Sequence, residues 1–159
     1  MKYLGIYLND QLALGVGWRQ LARRAAGANR GTPLGEALAE VAREIAEDVA
    51  TFEGVMERLG VPKSRAKVAG AVVGERLGRL KLNGSLTSYS PLSRFVELEF
   101  LLLGITGKIQ LWETLRDLAG LGERLPDVDF DALIARAEAQ RERLEPFRQE
   151  AGQVLRENR

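Results

Sequence analysis

Apolar residues recur along four long stretches of this chain at alternating spacings of three and four. That spacing places them on one face of a helix. The clearest stretch runs from residue 33 to residue 59 and begins with Leu34, Leu38, Val41 and Ile45. No segment shows the strict apolar–polar alternation that is typical of a half-buried strand. The pattern therefore predicts an all-α protein.

Capping residues and glycines indicate where the helices begin and end. Thr32-Pro33 and Ser90-Pro91 each place a side chain that can cap a helix before a proline suited to the first helical position. Asp127 or Asp129 can cap a later helix. Glycines that follow periodic stretches and suit helix ends are Gly27, Gly60, Gly84 and Gly120. The predicted long helices span residues 3–26, 33–59, 91–119 and 128–156.

The lengths of the connections predict how these helices are arranged. The first and second helices are joined by a short turn, and so are the third and fourth, so each pair is expected to form an antiparallel hairpin. Residues 62–81 also read as helical, and a helix of that length spans about 30 Å. This crossover would return the chain to the end where the second helix began. The third helix would then run parallel to the second.

This order of elements resembles the ferritin-like four-helix bundle, over nearly the whole chain. Residues 32–36 (TPLGE) and 89–93 (YSPLS) are also similar to uncharacterised bacterial proteins associated with that fold. These segments are not functional motifs. The resemblance therefore implies a fold and carries no activity with it.

Length and composition narrow the class of protein. A chain of 159 residues is expected to form one domain, residues 1–159. No apolar run approaches the roughly 20 residues of a membrane span, so no membrane partner is expected. The net charge of +1 argues against a nucleic-acid partner. The absence of cysteine fits a cytoplasmic protein. Arginine outnumbers lysine 18 to 5, which a thermophilic source or genome composition would equally explain.

The lack of histidine bears on metal binding and catalysis. Ferritin-like di-iron proteins use Glu-x-x-His on two of their helices, which this chain cannot supply. An all-carboxylate site for a hard cation stays open. However, Glu40, Glu44 and Asp48 repeat every four residues, as the solvated edge of a helix does. Ser-His and Cys-His pairs are excluded, so neither an enzyme nor a cofactor is predicted, although a Ser-Lys pair stays open.

Four polar residues are predicted to share one level of the bundle. Residues that face each other across a hairpin lie equally far from its turn, at about 1.5 Å of rise per residue. Gln11 then lies level with Asp48, Gln140 with Lys108, and Lys108 with Asp48. Asp48 and Lys108 have apolar neighbours one turn away. Either they form a buried ion pair between two amides, or they reach water from the edge of the apolar stripe.

Two further polar residues are secondary candidates for a buried site. Apolar residues surround Glu99 at three and four positions on either side, which suggests burial. Arg19 is predicted at a similar height and is a candidate partner for it.

The predicted crossover has an unusual charge and an unusual face. Residues 61–84 carry a net charge of +5, and residues 33–59 carry a net charge of −5. This charge could complement the rest of the fold or could attract an acidic partner. Ala66, Gly70, Gly74 and Gly78 recur every four residues. This small-residue face is expected to pack inward, or else to form a seam between copies of the chain.

The sequence is compatible with three classes of function. The first is a metal-free ferritin-like bundle that acts by binding or assembly, with self-association open. The second is a carrier of a small apolar ligand in a cavity between helices. Aromatic residues that could line such a cavity are Trp18, Phe95, Phe100, Trp112 and Phe147. The third is a ferritin-like protein with an all-carboxylate metal site.

Overall fold

The computed structural model describes residues 2–70, 74 and 89–156, and over these ranges the chain is all-α, without strands. The long helices are α1 (Lys2–Ala28), α2 (Pro33–Arg58), α3 (Pro91–Glu113) and α5 (Phe130–Ala151). A short helix, α4 (Leu121–Arg124), lies between α3 and α5. A π-helical turn at Thr114–Leu118 continues α3, and a 3₁₀ turn at Gly152–Leu155 continues α5. The predicted all-α class is confirmed.

The predicted helix starts are confirmed by their capping hydrogen bonds. The Thr32 hydroxyl accepts a hydrogen bond from the backbone N–H of Gly35 at 3.0 Å. The hydroxyl of Ser90 and the carboxylate of Asp129 accept equivalent bonds at 3.1 and 2.9 Å. Of the two aspartates proposed for the last helix, Asp129 is therefore the cap. Each bond satisfies a backbone donor that has no partner within its helix.

The glycine predictions are correct only in part. Gly60 and Gly120 follow helix ends with positive φ angles of 66° and 65°, as expected for helix-ending glycines. The prediction that Gly27 ends the first helix is wrong, because α1 continues to Ala28. The left-handed conformation occurs instead at Gly31, with φ 80°. Gly84 lies outside the described residues.

All four long helices contribute to two clusters of buried apolar residues. The most extensive packing is between α1 and α2 and between α3 and α5, and α1 also packs on α3 as α2 does on α5. At one point α1 and α3 approach closely. A Cβ atom added to Gly104 of α3 would lie only 2.5 Å from Cδ2 of Trp18 of α1. The absence of a side chain at Gly104 therefore allows the Trp18 indole to lie against the backbone of α3.

Asn29 links the end of α1 to the start of α3. Its buried side-chain amide donates to the backbone oxygen of Ala25 and to the Tyr89 hydroxyl, both at 2.8 Å. Its oxygen accepts from Nε of Arg94 at 2.9 Å. One buried amide thus connects the two hairpins.

The first part of the predicted crossover lies beside α1. The Asn9 side chain bonds the backbone of Pro62 and Ser64, and Lys67 pairs with Asp10 at 2.7 Å. Lys63 lies 3.5 Å from Glu53 of α2, so these two lysines face acidic residues of the same chain. Most of residues 71–88 falls outside the described residues.

The prediction that the small residues of the crossover face inward is wrong for those residues that the structure describes. Ala66, Gly70 and Gly74 are exposed, and a Cβ atom on either glycine would meet no atom within 4 Å. Gly78 lies outside the described residues.

Candidate ligand-binding site

An ion pair connects α2 and α3 inside the fold. Nζ of Lys108 lies 2.5 Å from Oδ2 of Asp48. The Asp48 side chain is only 4% exposed and that of Lys108 only 14%. Burial lowers the pKa of Lys108, and the nearby carboxylate of Asp48 opposes that shift.

Arg136 of α5 holds the other oxygen of the Asp48 carboxylate. It donates to Oδ1 through Nε at 3.1 Å and also through Nη2. Its remaining Nη1 donates to Glu47 at 2.9 Å. Asp48 is therefore shared by two cations, which approach it from two different helices.

Gln140 of α5 extends this arrangement. Its side chain is completely buried. The amide oxygen accepts from Nζ of Lys108 at 2.5 Å, and the amide nitrogen donates to Glu44 at 2.9 Å. Arg143 lies 3.4 Å from the second oxygen of Glu44. Both polar ends of a buried amide are thus satisfied.

The charges of this network balance. Arg143 also lies 3.7 Å from Glu40, and Arg43 pairs with Glu47 at 2.5 Å. The cations and anions of the network are Arg43, Lys108, Arg136 and Arg143 against Glu40, Glu44, Glu47 and Asp48. We refer to these residues together with Gln140 as the polar network.

Three of the four residues predicted for one level meet in this network, namely Asp48, Lys108 and Gln140. Gln11 does not join them, since it hydrogen-bonds to none of the residues that the structure describes, although it lines a cavity together with Asp48 and Lys108. The interpretation of Glu40, Glu44 and Asp48 as a solvated edge is wrong for the last two, which are buried. Glu40 is exposed.

Sequence reasoning missed Arg136, Arg143 and the role of Glu44. A signal for them was present. Residues 136 and 143 lie four before and three after Gln140, so all three share one helix face. Glu44 lies one turn before Asp48 in the same way.

The two secondary candidates do not pair with each other. Glu99 pairs with Arg148 at 2.7 Å, and its side chain is partly exposed. Arg19 makes no hydrogen bond or ion pair within the described part of the chain, and its Nε is buried. Arg24, a neighbouring arginine of α1, instead pairs with the buried Glu97 at 3.1 Å.

A cavity of about 590 Å³ lies beside the polar network, between α1, α2, α3 and the π-helical turn. The polar part of its wall includes Asp48 and Lys108 of the polar network and Gln11 of α1. It also includes Gln110, Glu113, Thr114 and Asp117, from the end of α3 and the π-helical turn. Most of the remaining wall is apolar and includes Tyr7, Trp18, Phe52, Ile105, Leu111 and Trp112. Of the aromatic residues expected to line a cavity, Trp18 and Trp112 do so. Phe95, Phe100 and Phe147 are not part of the wall.

Exposed leucines also belong to the cavity wall. Leu14, Leu103 and Leu118 are 52%, 64% and 85% exposed. They come from α1, α3 and the π-helical turn, so apolar surface continues from the interior of the cavity to its mouth. Two exposed carboxylates, Glu113 at the end of α3 and Asp117 in the π-helical turn, also belong to the wall.

Each acidic residue of the polar network pairs with a lysine or arginine side chain. Within the described ranges no group of three or more acidic side chains is placed to hold a metal ion. In the same ranges, no helix combines the length and apolar character needed to cross a bilayer.

Comparison of the chain with protein-family models, curated proteins and solved structures found no match.

Proposed function

We propose that this protein is a ferritin-like four-helix bundle that works by binding rather than catalysis, and that its cavity holds a small apolar molecule. The observation that carries the proposal is the apolar cavity between α1 and α3, bounded on one side by a charge-balanced polar network. Two long hairpins and a connection that starts along α1 support the ferritin-like arrangement.

The dimensions and lining of the cavity suit a ligand. Binding sites for small molecules have volumes of about 300–1,000 Å³ and mostly apolar walls with a few polar groups. This cavity has such a volume and such a wall. The cavity is open to the surface at the exposed leucines, so a ligand can reach it without unfolding of the surrounding helices.

The two tryptophans of the chain provide a direct test, because Trp18 and Trp112 both line the cavity. Titration with n-butylbenzene, a small apolar probe, is expected to change tryptophan fluorescence in a saturable manner. A linear response without saturation would contradict the proposal.

A cavity-filling variant makes the test specific. Gly107 lies on the cavity wall, and a Cβ atom there would meet no atom within 4 Å. Gly107→Phe is expected to weaken probe binding by about tenfold, or about 1.4 kcal/mol, because the ring would occupy part of the space that the probe fills. The matched control is Gly54→Phe, which places the same ring on α2, away from the cavity wall, where a Cβ atom also meets no neighbour. Equal loss of binding in both variants would contradict a site at the cavity.

Self-association is a second candidate, favoured by the exposed leucines at the cavity mouth. Leu14, Leu103 and Leu118 would then be covered by a second copy of the chain. Sedimentation velocity over a range of concentrations tests this, and Leu103→Lys is expected to abolish any dimer. A dimer that persists in this variant would argue against association through this surface.

A further inference from the structure

We infer that the ligand of the cavity is a neutral molecule with one oxygen atom that accepts hydrogen bonds, such as a ketone or an ester, held by Lys108 and Gln11. This inference rests on the proposed function, because it names the chemical class of the molecule that the cavity would bind. Unused hydrogen-bond donors in the cavity wall, and the balance of charge around them, support it.

Lys108 has one N–H donor that the polar network does not use. A lysine ammonium group carries three N–H donors. One donates to Asp48 and one to Gln140, both at 2.5 Å. The third has no acceptor within the described part of the chain. Because Lys108 forms part of the cavity wall and is mostly buried, an oxygen atom of a bound molecule is the acceptor that would satisfy it.

Gln11 provides a second polar contact, from α1. It is half-buried on α1, it lines the cavity, and its amide bonds to none of the described residues. A side-chain amide carries two N–H donors. Gln11 on α1 and Lys108 on α3 therefore offer donors to the same space from two helices.

The charge balance of the polar network favours a neutral ligand. The charge of Lys108 is already opposed by Asp48, and Asp48 itself lies in the cavity wall. A carboxylate ligand would bring a second negative charge next to Asp48 without a free cation in the network to match it. Burying such an unpaired charge is costly. A carbonyl oxygen can accept the same hydrogen bonds without that cost.

Three related probes separate these contributions. They are n-butylbenzene, 4-phenyl-2-butanone and 4-phenylbutanoate, whose shapes are similar and which differ in carrying no oxygen, a neutral carbonyl or a carboxylate. Dissociation constants are measured by isothermal titration calorimetry for the full chain and its variants. The informative quantity is the ratio of the ketone and hydrocarbon constants, because water solvates the two probes differently before they bind.

Gln11→Leu is the main variant, since it removes an amide that no described residue needs. It is expected to weaken ketone binding by about tenfold and to leave hydrocarbon binding within about twofold. Lys108→Met is expected to have the same selective effect. Gln20→Leu, on the same helix but away from the cavity wall, is the control and should change neither constant.

The outcomes distinguish this inference from the proposed function. If neither the hydrocarbon nor the ketone binds, the cavity does not bind a ligand and the proposed function fails. If both bind and Gln11→Leu weakens them equally or not at all, the cavity binds ligands but the inference about the oxygen acceptor is overturned. If 4-phenylbutanoate binds more tightly than the ketone, the inference of a neutral ligand is overturned. If Lys108→Met does not fold, the selective effect of Gln11→Leu on ketone binding still tests the inference.

Discussion

The carboxylate of Asp48 and the ammonium group of Lys108 lie 2.5 Å apart, although α2 packs mainly on α1 and α5 rather than on α3. The pair therefore joins two helices across the interior. A shift of either helix along its axis by one turn, about 5.4 Å, would separate the charges and leave both buried without a partner. We expect the pair to set the relative position of the two hairpins.

Replacement of Asp48 is predicted to lower the free energy of unfolding more than replacement of Lys108. Asp48→Leu leaves two cations, Lys108 and Arg136, without their shared carboxylate, and is expected to cost about 3–5 kcal/mol. Lys108→Met is expected to cost less, because Asp48 keeps Arg136. The free energies are measured by urea unfolding. A coupling energy near zero between the two substitutions would show that the pair contributes nothing specific.

Gly104 is predicted to be intolerant of even the smallest side chain. Gly104→Ala places a methyl group 2.5 Å from the Trp18 indole and is expected to cost about 1–3 kcal/mol and to shift tryptophan fluorescence. Gly107→Ala, one turn along the same helix, is the control. Its Cβ atom meets no neighbour, so it should stabilise the helix by up to about 1 kcal/mol. Equal effects of the two substitutions on the unfolding midpoint would contradict the close approach of α1 and α3.

The stability of the fold is predicted to depend on the protonation of Lys108 at alkaline pH. Burial lowers its pKa below the usual 10.5, so between the two values the unfolded chain holds more protons than the folded one. The contribution of Lys108 to the free energy of unfolding therefore rises with pH in the window just below 10.5 and is constant below the folded-state pKa. The difference in stability between the parent and Lys108→Met should increase through that window. A decrease would mean that the folded state raises this pKa.

Asn29 is predicted to be important for joining the hairpins. Asn29→Ala removes three side-chain hydrogen bonds and leaves the Arg94 and Tyr89 groups without this partner. We expect a loss of about 2–3 kcal/mol, since three hydrogen bonds are lost and each contributes about 0.5–1.5 kcal/mol net. Tyr89→Phe removes only one of the three bonds and should cost about 1 kcal/mol. Similar values for the two variants in urea unfolding would argue against Asn29 as the central link.

Local interactions explain why the helices could be predicted from sequence. A 3.6-residue apolar period and a capping bond over three residues, as between Thr32 and Gly35, involve only neighbouring parts of the chain. The constant rise per residue also placed Asp48, Lys108 and Gln140 at a common height. The exact end of α1 was mistaken because Gly27 and Gly31 both suit a helix end, and only the final packing selects between them.

Tertiary structure decided which side chains meet at that common height. Height along a helix does not specify its rotation about its own axis, nor the rotamers of long side chains. Helix spacing places Arg136 and Arg143 on the same face as Gln140, but it does not specify that they reach Asp48 and Glu44. It likewise does not specify that Glu99 meets Arg148 rather than Arg19. The same holds for the cavity, whose wall combines Trp18 of α1, Asp48 of α2 and Lys108 of α3. The amino-acid pattern alone thus determined the helices and their polar level, whereas the site depends on distances between helices that only the folded chain sets.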